Sequence, residues 1–391
     1  MNKVLHLIRK NTQLRSSFIR NQIVSHIDYK PYVIFYEKRE RKTGGGYSSG
    51  ISDNIPLYHL AENENFYERL LFGFFKLIRR RKKKRLRELI SQIQPKVIHL
   101  HYGTDAGIYL KTLNGLDIPK VVSFYGYECS GFPRRFFGYW KKYLQSRVYR
   151  YADKVLAMSP EMKNDILSTG CQEEKIHVHY HGSDVKRFKR DHEYKQNKPV
   201  KFLIISGMVP NKGHMFLLQA FRKAYRKNKN ITLTIVGDGP LKSMIYGYVS
   251  QNGLNYFVSM PGFVTYGSDE HLKTLDAHDV FIHPCVTDVN GDKEGIPGAI
   301  VEAMAAGLPV ISTYHGGIPY IIESEKTGLL VNEHDVNALS ETILTLANSV
   351  ELQRNYGKSG QSYAISNLDL FDKEKELEGI YEELINRMRS M

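Results

Sequence analysis

The chain has 391 residues, 42% of them hydrophobic and 25% charged, with a formal net charge of +14 and an isoelectric point near 9.4. At ~150 residues per domain this composition predicts two or three globular domains with sizeable cores, and two large ones are the first expectation. The three cysteines (Cys129, Cys171, Cys285) lie far apart without a ligand spacing, which argues against a disulfide framework or a zinc site. No apolar run approaches the ~18–20 residues needed to span a bilayer.

The opening Met1-Asn-Lys-Val-Leu-His-Leu-Ile8 is too short in its apolar part for a signal peptide and reads as a first strand over 3–8. The expected setting is therefore cytoplasmic, with attachment to a membrane surface left open. The positive balance favours an anionic partner: nucleic acid, acidic lipid or a phosphorylated substrate.

The first strand is followed by a loop, Arg9 to Ser17, and a helix from about Phe18 to Ser25. Tyr32–Tyr36 is a second strand, and Glu37–Gly50 is a charged, then Gly/Ser-rich loop. No dinucleotide-type glycine pattern follows the first strand.

A helix is predicted over Phe66–Ile93. Its aromatic start runs into Lys76-Leu-Ile-Arg79-Arg80-Arg81-Lys82-Lys83-Lys84-Arg85-Leu-Arg87, where nine of twelve residues are Lys or Arg. An apolar aromatic segment beside dense positive charge suits an interfacial helix on an anionic leaflet. A solvated helix face and a nucleic-acid surface are the other readings.

Strands then alternate with helices: Val97–His101, a helix Gly107–Asn114, Pro119–Phe124, a helix Phe136–Tyr151, Lys154–Ser159, a helix opened by Ser159-Pro160, and Ile176–Tyr180. That rhythm predicts a parallel, doubly wound sheet. Ligands bind beyond the carboxyl ends of such strands. Arg15, Ser16, Ser17, His101–Asp105, Tyr125–Glu128 and His181–Asp184 are therefore expected to share one crevice.

Lys186–Lys198 is polar, without periodicity, and reads as a linker. The α/β rhythm restarts with strands Val200–Ile205, Ile231–Val236, Val258–Gly262 and Val280–His283, separated by helices. It ends with helices Val336–Ser349, Leu352–Ala364 and Leu370–Met388.

One stretch organises the second half: Glu294-Gly-Ile-Pro-Gly-Ala-Ile-Val-Glu302, continuing to Gly307-Leu-Pro-Val-Ile-Ser312. It reads as loop, helix, strand. Pro297 suits the first helical position, and Gly307 suits the cap at the far end. A helix N-terminus built of small residues is a seat for phosphate or sugar hydroxyls. The bland alternative is an ordinary helix carrying two solvated glutamates.

In their order along the chain these segments resemble retaining glycosyltransferases of family 4, whose mark is Glu, seven residues, Glu, here Glu294 and Glu302. Ser206-Gly-Met-Val-Pro-Asn-Lys212-Gly213 is similar to that family's phosphate loop. Gly237-Asp-Gly-Pro240, Gly262-Phe263-Val264, Val122–Glu128, His181–Asp184 and Gly316-Gly-Ile-Pro319 fit its other loops. Leu7–Ile19 and Gly291–Pro297 look most like the branch that builds bacterial exopolysaccharide, capsule or colanic-acid-type polymers.

The resemblance implies an α/β GT-B fold, with two Rossmann-like doubly wound domains facing across a cleft. Residues 1–185 would form the acceptor domain, 186–199 a linker and 200–369 the donor domain, with a helix over 370–391 crossing back to the first. It implies a UDP- or GDP-sugar as co-substrate and no cofactor or bound metal. Joined to the basic aromatic helix, a donor site of this kind leads to the expectation of a saccharide acceptor that is lipid-linked, at an anionic membrane surface. Nucleic acid is not an expected partner.

Lys212 would contact the diphosphate. Gly207, Gly295, Ile296 and Gly298 would line the donor, Glu302 would hold the ribose diol, and Phe263 and Val264 would touch the base. Glu294 would face the transferred sugar, with Tyr125 near it on the acceptor side.

Two positions depart from the family. Gly207 stands where an arginine is usual and Tyr125 where a histidine is usual, so one phosphate cation and one imidazole are replaced. Tyr320 also stands where the family often has Glu. His99 and His101 are expected to fill the strand rather than bind metal. A nucleotide-sugar epimerase of the same fold and a basic binding protein without catalysis are the alternatives.

Overall fold

The structure is a computed structural model that describes residues 1–39, 54–62, 66, 68, 70, 72, 76, 78–134, 138–195 and 199–390. The predicted Gly/Ser-rich loop lies almost wholly outside these residues. The chain forms two compact units, Met1–Gly182 with Leu370–Met391, and Ser183–Asp369.

Unit 1 is built on a seven-stranded sheet in the order β3-β2-β1-β4-β5-β6-β7, and every pairing is parallel. The strands are β1 Asn2–Lys10, β2 Tyr29–Glu37, β3 Leu57–His59, β4 Val97–His101, β5 Lys120–Ser123, β6 Lys154–Ala157 and β7 Ile176–Val178. β3 was not anticipated, because its three residues are only partly buried and carry no pattern of their own.

β1 is central because Val4–Ile8 is one buried run, suited to a strand covered on both faces. The chain first winds outward through β2 and β3, then returns to β4 on the other side of β1. The strand order therefore reverses between the carboxyl ends of β1 and β4, where ligands bind in open α/β sheets.

One face of this sheet is closed by the helix Leu370–Arg389. Its Leu377, Ile380, Tyr381, Leu384 and Ile385 pack against Val4, Tyr29, Val97, Val121 and Leu156. The helical period that aligns them also puts Glu374 and Glu378 on the inner stripe, where both are buried.

Unit 2 repeats the logic with a six-stranded parallel sheet, β10-β9-β8-β11-β12-β13. Here β8 is Val200–Ile205, β9 Ile231–Val236, β10 Val258–Gly262, β11 Val280–Ile282, β12 Val310–Thr313 and β13 Leu329–Val331. The reversal falls between β8 and β11. Residues 190–194, within the span read as linker, are docked on this unit: Tyr194 donates to Gly307 O (2.6 Å), and Gln361 to Arg190 O (2.7 Å).

Two predicted helices differ. The basic segment is interrupted: Phe66, Glu68, Leu70 and Phe72 are helical, Lys76 takes φ +51°, and a new helix runs Arg80–Ile93. Of the helix expected over Phe136–Tyr151, 136–137 lie outside the described residues; the rest is a short α-helix, Tyr139–Tyr143, opened by left-handed Gly138 and continued as a π-helix, Leu144–Tyr149.

Candidate active site

In unit 2 the functional residues gather at the β8/β11 reversal. β8 ends at Ile205, and the chain turns through Pro210–Lys212 into Gly213, at φ +68°. A Cβ on Gly213 would stand 1.9 Å from Pro284 O, so only glycine brings the chain this close to the end of β11. The turn holds Lys212 Nζ 2.7 Å from Glu294 Oε1, and Asn211 Nδ2 donates to the same oxygen at 2.9 Å. Burial pushes the Lys212 ammonium down, but Glu294 outweighs it, and its pKa is raised.

The loop carrying Glu294 is fixed from behind. The Glu294 N–H donates to His315 Nε2 (2.9 Å), and His315 Nδ1 meets Glu333 Oε1 (2.6 Å). Glu333 also accepts the Thr287 N–H at 2.7 Å. The Gly317 N–H donates to Gly295 O at 2.8 Å. Gly316, at φ +51°, would place a Cβ 2.1 Å from Glu294 O. His315, Glu333 and Asn211 were not singled out from sequence; the only signal was that His315 opens the Gly316-Gly-Ile-Pro319 segment and Asn211 adjoins Lys212.

The helix after the loop is Gly298–Ala305, with Pro297 as its N-cap rather than its first helical residue. It ends in a Schellman motif: Leu308 N–H to Ala303 O (3.0 Å), Gly307 N–H to Met304 O (2.9 Å), and Gly307 at φ +83°. Glu302 is buried, and a Cβ at Gly298 would lie 3.4 Å from its Oε1. The carboxyl group thus reaches back toward the helix's first residue. Burial pushes its pKa up to about 8, and His271 Nε2 lies 3.7 Å away.

The remaining donor-side residues fall as follows. Ile296 is buried, its side chain against Gly317. Phe263 is 72% exposed on the loop after β10, available to stack on a planar ring. Gly207 is exposed, and a Cβ there would find its nearest neighbour, Asp238 O, at 3.9 Å.

In unit 1, Tyr125 follows β5 and is partly exposed. Phe18 sits against it (4.7 Å between ring centroids) and near Tyr102 (6.4 Å) and His181 (5.7 Å). The loops after β1, β4, β5 and β7 therefore do converge within this unit; Asp184 belongs to unit 2. Ser16 is the N-cap of the helix Ser17–Val24, and Arg15 is exposed at the end of a 3-10 turn.

Three residues assigned to the acceptor-side cleft or the membrane surface are buried: Glu128, Lys82, and His101, which fills the strand end as expected. Glu128 is fully buried and accepts the N–H groups of Gly103 (3.3 Å), Tyr125 (3.3 Å) and Gly126 (3.1 Å). It shapes the Tyr125 loop rather than meeting an acceptor, and burial lifts its pKa to about 7. His101 is also fully buried; its Nδ1 meets Tyr125 Oη at 2.7 Å. Lys82, placed with the membrane-facing cations, is buried and donates to Glu62 O at 2.5 Å, because the helix turns it inward with Leu86, Ile90 and Ile93. Arg79, Arg80, Arg81 and Lys84 are exposed, and Lys76, Lys83 and Arg85 are half-buried. Among the described residues no helix is long and apolar enough to cross a membrane.

Comparison with known proteins agrees with this layout. The profile described as "Glycosyl transferases group 1" matches residues 185–363, and "Glycosyltransferase Family 4" matches 57–187. WcaL of Escherichia coli K12, named for colanic acid biosynthesis, is 31% identical over 259 residues, 66% of this chain and 62% of that protein. AmsK of Erwinia amylovora, named for amylovoran biosynthesis, is 30% identical over 251 residues, 64% and 60% of the two chains. The matches thus span less than two thirds of these relatives' own length. Among solved structures, Anabaena HepE in complex with UDP and glucose superposes with a TM-score of 0.77 at 17% identity, covering 98% of this chain and all of that one. The fold is GT-B.

Proposed function

We infer that this chain, which belongs to the group 1 and family 4 glycosyltransferases, is an enzyme that moves a sugar from a nucleotide-sugar donor to a saccharide acceptor in the building of a bacterial surface polysaccharide. The observation that carries this reading is the constellation at the β8/β11 reversal. Lys212, Asn211 and Glu294 converge ahead of a helix N-terminus, and Glu302 is buried one turn further on.

The chemistry follows from the residue types. A departing nucleoside diphosphate develops negative charge on its β-phosphate. A preorganised ammonium and the N–H groups of Gly298 and Ala299 are suited to receive that charge without a resident metal. Glu302 is placed to accept hydrogen bonds from a ribose diol, and exposed Phe263 to lie on the base. A UDP- or GDP-sugar fits this set; HepE was solved with UDP and glucose. Glu294 sits where a carboxylate can stabilise an oxocarbenium-like sugar, and transfer with retention of configuration is the outcome we assign to it.

The acceptor is assigned to unit 1, at the loops around Tyr125 and Arg15–Ser17, as a lipid-linked saccharide. The exposed cations Arg79, Arg80, Arg81 and Lys84 give that unit an electrostatic footing on an anionic inner leaflet. The test is mass spectrometry of the chain incubated with UDP- and GDP-sugars and membrane lipid extract. Donor consumption with a sugar added to the lipid fraction, lost in Glu294→Gln, is expected. No consumption of any donor, or an epimerised free donor as the sole product, would sink the reading.

A further inference from the structure

His271 is a buried imidazole of unit 2 to which the chemistry above gives no part. It lies in the first turn of the helix Asp269–Asp276, whose N-cap is Ser268. Its backbone N–H donates to Ser268 Oγ at 3.2 Å, which fixes that turn. The ring reaches back along the chain, and the Gly267 N–H donates to His271 Nδ1 at 3.1 Å. Gly267 closes the loop that leaves β10 through Phe263.

A backbone N–H only donates, so Nδ1 is an acceptor and carries no proton. Burial, with Arg187 nearby, pushes the His271 pKa down to about 4. The ring is therefore neutral at pH 7, and its one proton sits on Nε2. His271 is 3% exposed, yet Nε2 has no hydrogen-bond partner among the described residues. A buried donor left unmet is costly. The rings of Phe188 and Tyr266 flank the imidazole, at centroid distances of 5.2 and 6.0 Å. Glu302 Oε2 lies 3.7 Å from Nε2.

We propose that His271 is the positioning residue for Glu302: as a ribose diol binds, the Nε2–H donates to Oε2 and holds the carboxylate toward the two hydroxyls. This rests on the reading of Glu302 as the carboxylate that meets the ribose.

At rest the gap is too long for a hydrogen bond. Burial raises the Glu302 pKa to about 8, so the group is largely protonated at pH 7. A diol donates to the carboxyl oxygens and favours the ionised form, and the Glu302 proton leaves to solvent. The carboxylate so formed draws in a donor from the protein side. Charge-assisted N–H···O bonds run at about 2.7–2.9 Å, so closing the gap takes a movement of roughly 1 Å, which side-chain torsions of Glu302 supply. The imidazole keeps its proton on Nε2 throughout, and only Glu302 changes charge.

The two carboxyl oxygens have different surroundings. A Cβ on Gly298 would lie 3.4 Å from Oε1 and 3.7 Å from Ser183 Oγ, so Oε1 faces the bare start of the helix while Oε2 faces the imidazole. His271 is then a strut within the nucleotide site. Its Nδ1 side ends the loop of Phe263, assigned to the base, and its Nε2 side meets the carboxylate assigned to the ribose. A helix cap alone is the competing reading. It accounts for the bond from Gly267 and leaves the protonated Nε2 beside a carboxyl group without a purpose.

The test uses the full chain and two substitutions. His271→Asn puts an amide oxygen where Nδ1 stands, which keeps the bond from Gly267 and removes the Nε2 donor; an unchanged melting temperature checks this. His271→Gln carries an amide N–H out toward the Nε2 position. Calorimetry follows UDP, GDP and their dideoxy counterparts, which lack the diol. His271→Asn is expected to weaken UDP and GDP by about tenfold, the scale of one hydrogen bond to a charged group, and to leave the dideoxy compounds unchanged. His271→Gln should recover most of the loss. Proton release on binding UDP or GDP at pH 7 should fall in His271→Asn. In the free protein, nitrogen NMR should find the His271 proton on Nε2. Carboxyl-carbon NMR should find Glu302 titrating about one pH unit higher in His271→Asn, the same tenfold.

A ring protonated on Nδ1, the same Glu302 titration in wild type and His271→Asn, or equal weakening of the diol and dideoxy nucleotides would each overturn the proposal. Absence of UDP and GDP binding in the wild type would instead overturn the nucleotide reading, with the Glu302 titration left to judge the pairing.

Discussion

Lys212 and Glu294 are joined by a 2.7 Å ion pair, so the cation expected at the diphosphate and the carboxylate expected at the sugar neutralise each other before any donor arrives. A donor must divide them, with phosphate drawing the ammonium and the sugar facing the freed carboxylate. Lys212→Met should raise donor KM and lower kcat by about 10²-fold, the scale of losing one preorganised charge stabiliser. Glu294→Gln should lower kcat with little change in donor affinity. Steady-state kinetics separates the two, and equal small effects from both would contradict the assignment.

Gly207 is exposed with open space where a side chain would grow. Gly207→Arg should therefore be tolerated by the fold and add a cation at the phosphate loop. One charge-assisted hydrogen bond is worth about 1.5–3 kcal/mol, so donor KM should fall roughly tenfold or more. An unchanged KM in a variant of normal melting temperature would show that this loop does not face phosphate.

Gly316 holds the loop of Glu294 by an approach that a methyl group forbids, 2.1 Å from Glu294 O at φ +51°. Gly316→Ala is expected to cost about 1–3 kcal/mol, read as a lower melting temperature, and to weaken nucleotide binding. Gly247 has nothing within 4 Å of its Cβ and lies inside the helix Lys242–Gln251. Gly247→Ala should raise stability by roughly 0.5–1 kcal/mol.

Burial raises the Glu302 pKa to about 8. For an acid whose folded pKa lies above its unfolded value, the unfolded chain ionises first. Stability from this group is complete below the unfolded value, declines as pH rises, and is lost through pH 8. Glu302→Gln should flatten that part of the curve. A ribose diol favours the carboxylate, so UDP or GDP binding at pH 7 should release a proton in the wild type and none from this position in Glu302→Gln. Calorimetry in buffers of different ionisation enthalpy measures this directly.

The exposed Arg80, Arg81 and Lys84 should each add about 1 kcal/mol of attraction to an anionic leaflet at low salt. Replacing all three with Gln should weaken partition onto phosphatidylglycerol vesicles by roughly a hundredfold, with little effect on neutral vesicles. Lys82→Gln should instead lower the melting temperature, because Lys82 is bonded inward. Equal partition of the triple variant and wild type would remove the membrane role.

The sequence was most legible where backbone pattern and local chemistry coincide. The β1 run, the Ser159-Pro160 helix start and the Glu294–Gly307 segment each announce their structure by composition. It was least legible where neighbours decide. Nothing local tells Lys82 from Lys84; the helical period turns one toward Glu62 and leaves the other in solvent. Glu128 reads as a polar loop residue until the loop closes around it. The helix that begins at Tyr139 changes to a π-helix at Leu144 without a proline to mark the change. The meeting of His6 with His26 and His101 could not be read at all, because these residues are scattered over positions 6 to 101 and come together only in the folded unit.

The helix Leu370–Arg389 belongs to unit 1, yet the ribosome makes it after the whole of unit 2. His26 waits for Glu378, and His99 for Tyr381, until the chain has grown by the 352 and 282 positions that separate them. Closing contacts this distant is slow compared with forming local ones. A nascent chain therefore carries a half-lined sheet with its imidazoles uncovered while unit 2, contiguous in sequence, is free to fold first. Unit 1 gains its last wall only when synthesis has passed residue 389.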